Sequence, residues 1–339
     1  MKYIAFLIAI TCCFAATPET GFGLTLKIAT ISPEGSMWMN KMRQGAKVIQ
    51  DETGGRVKFK FYPGGVMGND AAVLKKIRIG QLHGGAFSSG SMARFFPGNQ
   101  VYGQLMKFNS LDEVDYVREK MDPYIITGLE KAGFVTLGMA GGGFAYLMSA
   151  KPVLTDDDLL NRKIWIPNDN STTQEMVKVF GITPIPLALA DVRTGLQTGL
   201  IDTVANSPAG AIILQWHTQV KYLVDQPFLY LYATLSVSSR AFSKINPGDQ
   251  KIALSVMANA FKEIQAQSRK DNIKALEALK NQGVTFLTPA KDQIEQWRKK
   301  SVESTKALVD KGLLPAEAVQ TMDRHLFNFN SQAHASNDT

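Results

Sequence analysis

The chain has 339 residues, 45% of them hydrophobic, and a formal net charge of +7 at pH 7. This length is enough for one large domain or two ordinary ones, each with its own core. The only cysteines, Cys12 and Cys13, lie in the apolar N-terminal segment. The rest of the chain therefore has no residue for a disulfide, a thiolate zinc site or a cysteine nucleophile. The basic clusters at residues 56–60 and 75–78 are interpreted as solvated faces, not as nucleic-acid contacts.

The first 16 residues, MKYIAFLIAITCCFAA, are typical of a secretory signal, with Lys2 ahead of an apolar run and small residues at the end. We expect cleavage near Ala16, or at the latest near residue 24, and export to the periplasm. An uncleaved membrane anchor and lipid attachment at Cys12 or Cys13 are the alternatives.

The next segment alternates strands and helices. Strand patterns cover residues 26–32 and 56–62, and a third short strand, HGGAF, ends at Phe87 and Ser88. Helices are predicted between them, and the second follows a PGGVMGND loop. This order predicts a layered α/β arrangement.

A helix is predicted over residues 111–132, and the strand FVTLGMA then opens into three glycines, residues 141–143, followed by Phe144. A phosphate loop is not indicated, because neither G-x-G-x-x-G nor G-x-x-x-x-G-K-[ST] is satisfied. We interpret the glycines as a place where the backbone approaches a ligand, or turns sharply as the chain crosses between two lobes.

The stretch from 158 to 208 carries most of the functional information. KIWIP is a short strand ended by Pro167, residues 172–180 predict a helix, and ITPIPL is extended because prolines disfavour helix in the residues before them. A second helix begins near Asp191, and the strand IDTVAN ends at Asn206. The alternation predicts parallel βαβ pairing.

Beyond Pro208 the sequence predicts a helix with Trp216 and His217, then a strand-rich return. A long helix follows between Asn246 and Gly283, which at 1.5 Å per residue is about 50 Å long. A short strand, two helices and a polar, disordered tail over residues 331–339 complete the chain.

The motifs D-L-x-x-x-K-I-x-I-P, G-I-T-P-I-P-L and D-V-x-T-G-L-Q-T-G-L-I-D resemble those of the DctP-type solute-binding proteins of tripartite ATP-independent periplasmic (TRAP) transporters. The likeness runs from about Leu26 to Phe327. It implies a two-lobed, type II-like periplasmic binding protein with a long helix spanning both lobes. The first lobe would comprise residues 26–146 and 231–266, and the second residues 147–230 and 267–330 with the C-terminal helices.

The resemblance also implies the function and the partners. A monomeric protein would capture a small solute between its lobes and deliver it to small and large membrane subunits driven by an ion gradient, with no cofactor. An alternative is a periplasmic sensor that presents its closed form to a receptor.

Two positions depart from the family. Its members usually carry arginine where this chain has Trp165 and Ala145, and those arginines normally bind a ligand carboxylate. We therefore expect a neutral, largely apolar or aromatic ligand. The alternative is a carboxylate held by Arg193, on the second helix of the 158–208 stretch.

Enzyme chemistry is not expected, because the four histidines are scattered and no H-E-x-x-H or G-x-S-x-G motif occurs. The predicted crevice lies at the carboxyl ends of strands, where open sheets bind ligands. The candidate ligand-binding residues are Trp38, Phe87, Ser88, Phe144, Trp165, Asn168, Leu189, Arg193, Asn206, Gln226 and Phe228. We expect Asn206, together with Gln226, to orient the ligand by hydrogen bonds.

Overall fold

The computed structural model describes residues 23–168 and 171–337. Nine strands are present in these residues: β1 Leu24–Thr30, β2 Val57–Tyr62, β3 Gly84–Ser88, β4 Phe134–Ser149, β5 Trp165–Pro167, β6 Ile185–Leu187, β7 Thr203–Asn206, β8 Tyr222–Ser238 and β9 Thr285–Leu287. The α-helices of the same residues are α1 Met37–Glu52, α2 Asp70–Arg78, α3 Ser89–Met92, α4 Leu111–Lys131, α5 Asp156–Leu160, α6 Ser171–Lys178, α7 Val192–Gln197, α8 Pro208–Ile213, α9 Ser239–Phe242, α10 Pro247–Asn281, α11 Lys291–Asp310 and α12 Ala316–Asn337. Short 3-10 turns occupy Pro97–Gly103, Leu189–Asp191 and Trp216–Thr218.

The first lobe is a sheet covered by helices on both faces. The strands and helices alternate in the predicted order. Strand β1 lies between β2 and β3 and is parallel to both, while β3 pairs antiparallel with β8. On one face Met42 and Phe261 bring α1 and α10 against the sheet, and on the other Val114 and Met121 bring α4 against it. The two covered faces explain the unbroken buried run at the end of β1, whereas β2, at the edge of the sheet, keeps Lys58 and Lys60 exposed.

The second lobe contains the predicted βαβ unit. Strands β5 and β6 pair in parallel, with Trp165 opposite Ile185. Strand β7 joins the larger sheet instead, antiparallel to β4, and touches the smaller unit through a single parallel bridge between Ile164 and Thr203. The order β5, α6, β6, α7, β7 is therefore the predicted one, but its last strand belongs to the other sheet.

Two long strands connect the lobes. Strands β4 and β8 pair antiparallel from Phe134 and Ser238 to Ser149 and Tyr222, with bulges along the way. The sequence predicts a turn or a ligand approach at residues 141–143. The structure has no sharp turn there, because β4 continues through these glycines with a bulge between Gly141 and Gly143, and none of them belongs to the described wall of the cavity between the lobes. Gly141 leaves room for the ring of Tyr230, and Gly143 has a φ of +94° and lies against the side chain of Asn272. Glycine is required at Gly141 and Gly143 because the backbone of β4 packs closely against these two side chains where the strand crosses between the lobes.

Helix α10 spans both lobes, which confirms the prediction of a long bracing helix. Asn246 caps it by accepting a hydrogen bond from the backbone N–H of Asp249 at 2.9 Å, and Pro247 is its first residue. Phe261 lies in the core of the first lobe, and Leu279 lies in that of the second.

The C-terminal helices contact more than one part of the core. Helix α11 places Trp297 beside Phe228 and Leu308 in the cluster that holds Val114 of α4, and α12 places Met322 in that same cluster. The sequence-based assignment of both helices to the second lobe stays a prediction. Helix α12 also continues to Asn337, past the expected start of a disordered tail, because residues 331–337 contain no glycine or proline to end it.

The expected signal segment and the last two residues lie outside the described residues. Within the part of the chain that is described, none of the helices is both long and apolar enough to span a membrane.

Candidate functional site

A cavity of about 320 Å³ lies between the two lobes, where several strands end. The carboxyl ends of β3, β5 and β7 reach it through Ser88, Pro167 and Asn206. Open α/β sheets bind ligands at this edge, so the topology itself produces the cleft. The volume is at the lower end of the range usual for small-molecule sites.

Most of the cavity wall is apolar. Trp165, Phe180 and Phe228 supply aromatic rings, and Leu147 and Leu187 supply aliphatic surface. Trp165 is only 8% exposed, and its indole meets the ring of Trp216 edge-on, with centroids 5.2 Å apart. The Nε1–H of Trp165 donates to the carbonyl oxygen of Leu187 at 3.0 Å. Its one polar group is therefore bonded within the second lobe.

The polar part of the wall centres on the start of α2. Asp70 is 5% exposed, and its Oδ2 accepts hydrogen bonds from the Ser91 hydroxyl at 2.6 Å and from the Ser88 hydroxyl at 3.2 Å. The backbone N–H of Ser88 also donates to Asp70 Oδ2 at 3.2 Å. Asp70 and Ser88 both line the cavity.

Asn206 lines the cavity at the end of β7. Its Oδ1 accepts the backbone N–H of Ser207 at 2.8 Å. This bond fixes the orientation of the amide, so its Nδ2 is the group that can donate to a ligand.

Two hydrogen bonds join the lobes beside the cavity. The amide of Gln100 donates to the hydroxyl of Thr172 at 2.7 Å, and both residues are buried. The amide of Asn69 donates to Oδ1 of Asn168 at 3.3 Å. Each bond has one partner in the first lobe and one in the second, so the structure is that of a closed cleft.

The charge of the cavity is unusual for a site that would bind acids. Among its described lining residues there is the carboxyl group of Asp70 but no lysine, arginine or histidine. Residues 169 and 170, next to Asn168, fall outside the described part of the chain and are aspartate and asparagine in sequence.

Six of the predicted site residues line this cavity: Ser88, Trp165, Asn168, Leu189, Asn206 and Phe228. The structure therefore brings together residues from five separate segments of the chain. Whether each contacts a solute stays a prediction.

Five other predicted residues are not brought to the cavity. Trp38 packs edge-on against Phe261 with centroids 5.9 Å apart, and Phe144 packs in the same way against Tyr230 at 6.0 Å. Phe87 is fully buried in the core of the first lobe, because it and Ser88 point to opposite faces of β3.

The remaining two are polar and face elsewhere. Arg193 is exposed on α7. The amide of Gln226 donates to the carbonyl oxygen of Pro227 at 3.2 Å. Neither residue is part of the described cavity wall.

Sequence reasoning missed several residues of the site. Asp70, Gln100 and Thr172 were not among the candidates, although Asp70 belongs to the PGGVMGND segment that contributes to the family resemblance. Its position as the first residue of α2, directly after a strand and loop, was the signal that could have identified it.

Residues 28–311 match the DctP family, which is described as "Bacterial extracellular solute-binding protein, family 7". Fold and site together define a two-lobed periplasmic solute-binding protein, and the chain belongs to the DctP family of TRAP-type solute-binding proteins. Proteins of this family are periplasmic, bind small solutes and work with membrane subunits.

Two curated relatives illustrate the similarity. The 2,3-diketo-L-gulonate-binding periplasmic protein YiaO of Escherichia coli (strain K12) is 26% identical over 249 residues, which is 71% of this chain and 74% of that protein. The C4-dicarboxylate-binding periplasmic protein DctP of Rhodobacter capsulatus is 24% identical over 245 residues, 70% of this chain and 72% of that protein.

Solved structures share the fold over nearly the whole chain. A TRAP solute-binding protein from Pseudomonas putida F1 with bound D-glucuronate has a TM-score of 0.79 and 24% identity, covering 89% of this chain and 96% of that one. DctP7 of Bordetella pertussis, a receptor binding pyroglutamic acid, has a TM-score of 0.82 and 17% identity, covering 90% and 99%.

Proposed function

We propose that this protein is the exported solute receptor of a TRAP transporter and that its solute is neutral and largely apolar or aromatic. The receptor would be a monomer that closes its lobes around the solute and docks on one small and one large membrane subunit. Membership of the family supports the first part of the proposal. The ligand class rests on the composition of the cavity wall.

One observation carries the ligand class: the described wall of the cavity has no lysine, arginine or histidine side chain. The resemblance to the family further implies that Trp165 stands where its members usually carry an arginine. Burying a carboxylate without a cation costs several kcal/mol, whereas micromolar binding amounts to about 8 kcal/mol. The penalty would thus remove most of the affinity of a dicarboxylate or a sugar acid.

The apolar wall supplies the binding energy that a neutral solute needs. Burial of about 100 Å² of solute against aromatic and aliphatic side chains contributes about 2.5 kcal/mol. The amide of Asn206 would then orient the solute by a hydrogen bond. Gln226, which sequence reasoning paired with Asn206, has its amide bonded to its own neighbour and takes no part in this proposal.

A carboxylate bound through Arg193 is the competing function. It would require this exposed side chain of α7 to reach a cavity whose described wall does not include it. The neutral solute requires no such rearrangement and is therefore the better-supported ligand.

Mass spectrometry of the solute that stays bound through purification tests the proposal. The protein is purified without dialysis, denatured, and its released small molecules are identified. We expect an uncharged, apolar or aromatic compound in the wild type. An Ala205→Trp variant, which fills the cavity, is the control and should release none. A stoichiometric sugar acid or dicarboxylate from the wild type would contradict the proposed ligand class.

A further inference from the structure

The carboxyl group of Asp70 is a charged feature of the cavity that the proposed function does not yet use. Asp70 is the first residue of α2, directly after the capping residue Asn69, and is 95% buried from solvent, being only 5% exposed. It lines the cavity together with Asn69 and Ser88. Any solute in this cavity shares a small enclosed space with this residue.

Several hydrogen-bond donors surround the carboxyl group of Asp70. Its Oδ2 receives three hydrogen bonds, from the hydroxyl groups of Ser88 and Ser91 and from the N–H of Ser88. Asp70 also stands in the first turn of a nine-residue helix, where the helix dipole favours an anion. The donors and the helix dipole favour the ionised carboxylate and oppose the desolvation by burial, which favours the protonated acid.

Apolar aromatic side chains line the same cavity as the Asp70 carboxyl group. Trp165, Phe180 and Phe228 contribute aromatic rings to the wall. The rings offer apolar surface to the body of a solute. In an apolar enclosure the field of the ionised Asp70 carboxylate is weakly screened, so it disfavours a solute anion.

We propose that Asp70 is the specificity-determining residue of the cavity and that it selects a solute carrying an N–H donor group, as an amine or amide, on an apolar or aromatic body. The donor group hydrogen-bonds to the wall formed by Asp70 and Ser88, and the body packs on the aromatic rings. This inference rests on the proposed receptor function and revises its solute class: an N–H donor group, whether a neutral amide or a protonated amine, is preferred and an anion is disfavoured.

Three compounds with one aromatic body and different polar groups test the inference: 2-phenylethylamine, 2-phenylacetamide and phenylacetate. Isothermal titration calorimetry on the full-length exported protein should show the amine and the amide binding at least about tenfold more tightly than the carboxylate. In Asp70→Asn the amine should lose about tenfold or more in affinity and phenylacetate should gain, so that the discrimination collapses.

Matched variants separate the role of the charge from that of the fold. Ser91→Ala removes one hydrogen bond to Asp70 but keeps its charge, and Asp51→Asn removes an exposed carboxylate on α1; both should keep the preference for N–H donors. Asp70→Glu keeps the charge and should keep the preference too, which provides a second comparison if Asp70→Asn fails to fold.

The outcomes are distinguishable. An amine affinity unchanged in Asp70→Asn, tighter binding of phenylacetate than of the amide by the wild type, or binding of none of the three compounds would overturn the role of Asp70. An unchanged amine affinity in Asp70→Asn, or binding of none of the three compounds, leaves the receptor function and the exclusion of acids untouched, whereas a preference for phenylacetate would also contradict the exclusion of acids. Tight binding of succinate or D-glucuronate by the wild type would instead overturn the proposed ligand class itself.

Discussion

The indole N–H of Trp165 donates to the carbonyl oxygen of Leu187, 3.0 Å away, and so joins β5 to β6 by a side chain as well as by the backbone. The ring is held further by its edge-on contact with Trp216. Trp165 is therefore part of the core of the second lobe. Only its apolar surface is available to a solute.

Substitution of Trp165 should reveal this double role. Trp165→Phe removes the hydrogen bond and leaves the oxygen of Leu187 with only its bond from the backbone N–H of Asn168 at 3.3 Å, which should lower the free energy of unfolding by about 0.5–1.5 kcal/mol. Trp165→Ala also opens a cavity beside Trp216 and should cost about 3–5 kcal/mol. Urea denaturation measures both values. Equal stability of Trp165→Phe and the wild type would show that the hydrogen bond does not contribute.

The hydrogen bond between Gln100 and Thr172 should favour the closed cleft. Gln100→Ala removes a buried contact between the lobes, worth about 1–3 kcal/mol when one partner is left unpaired. Small-angle scattering of the solute-free variant should give a larger radius of gyration than the wild type. Gln267→Ala, which removes a bond to Asp271 within α10, is the control and should leave the radius unchanged. No expansion in Gln100→Ala would mean that other contacts hold the lobes together.

Gly143 should tolerate no side chain, in contrast to its neighbour Gly142. A Cβ at Gly143 would meet the amide of Asn272, and its φ of +94° is strained for other residues. Gly143→Ala should therefore lower the free energy of unfolding by about 1–3 kcal/mol. A Cβ at Gly142 would lie 3.6 Å from that of Leu231, an ordinary contact, so Gly142→Ala should stay within about 0.5 kcal/mol of the wild type. Thermal unfolding of the two variants makes the comparison, and equal losses would refute it.

The ion pair between Arg56 and Asp249 should make stability depend on acid pH. The hydrogen bond from Arg56 lowers the pKa of Asp249 below its ordinary value of 3.8. A lowered carboxyl pKa adds stability that is present above pH 3.8 and is lost as the pH falls through the lowered value. Asp249→Asn should thus be less stable than the wild type near neutral pH, and the difference should shrink in stronger acid.

Arg56→Gln is the matching variant, because it removes the same ion pair by changing its half-exposed partner. Its stability difference from the wild type should fade over the same acid range in a series of urea titrations. A difference that stays constant from neutral pH into strong acid would show that the pair contributes nothing through ionisation.

Local sequence signals were sufficient for most of the fold. Asn246 and Pro247 mark the start of α10, Gly283 follows its end, and no breaker lies between them. Pro167 and Asn206 end the strands that lead into the cavity. These features depend on a few neighbouring residues, which is why the sequence alone predicts them.

The composition of the site depended on long-range packing and was predicted only in part. Alternation along β3 separates Phe87 from Ser88, but it does not tell which of the two faces the cavity. Trp38 is ambiguous for the same reason, because an aromatic residue on a helix fits a core as well as a pocket. Asp70 was missed because its position at the start of α2 marks only a helix terminus, whereas its burial beside the cavity results from the way α2 packs beside β3.

Calorimetric titration of the wild type with succinate, malate and D-glucuronate, set against a panel of neutral aromatic compounds, tests the central claim most directly. The cavity described here predicts that at least one neutral aromatic compound binds and that none of the three acids does. Repeating the titrations with Trp165→Ala and Arg193→Ala locates the site of any acid that binds. Tight binding of an acid that survives Trp165→Ala and disappears in Arg193→Ala would contradict the account.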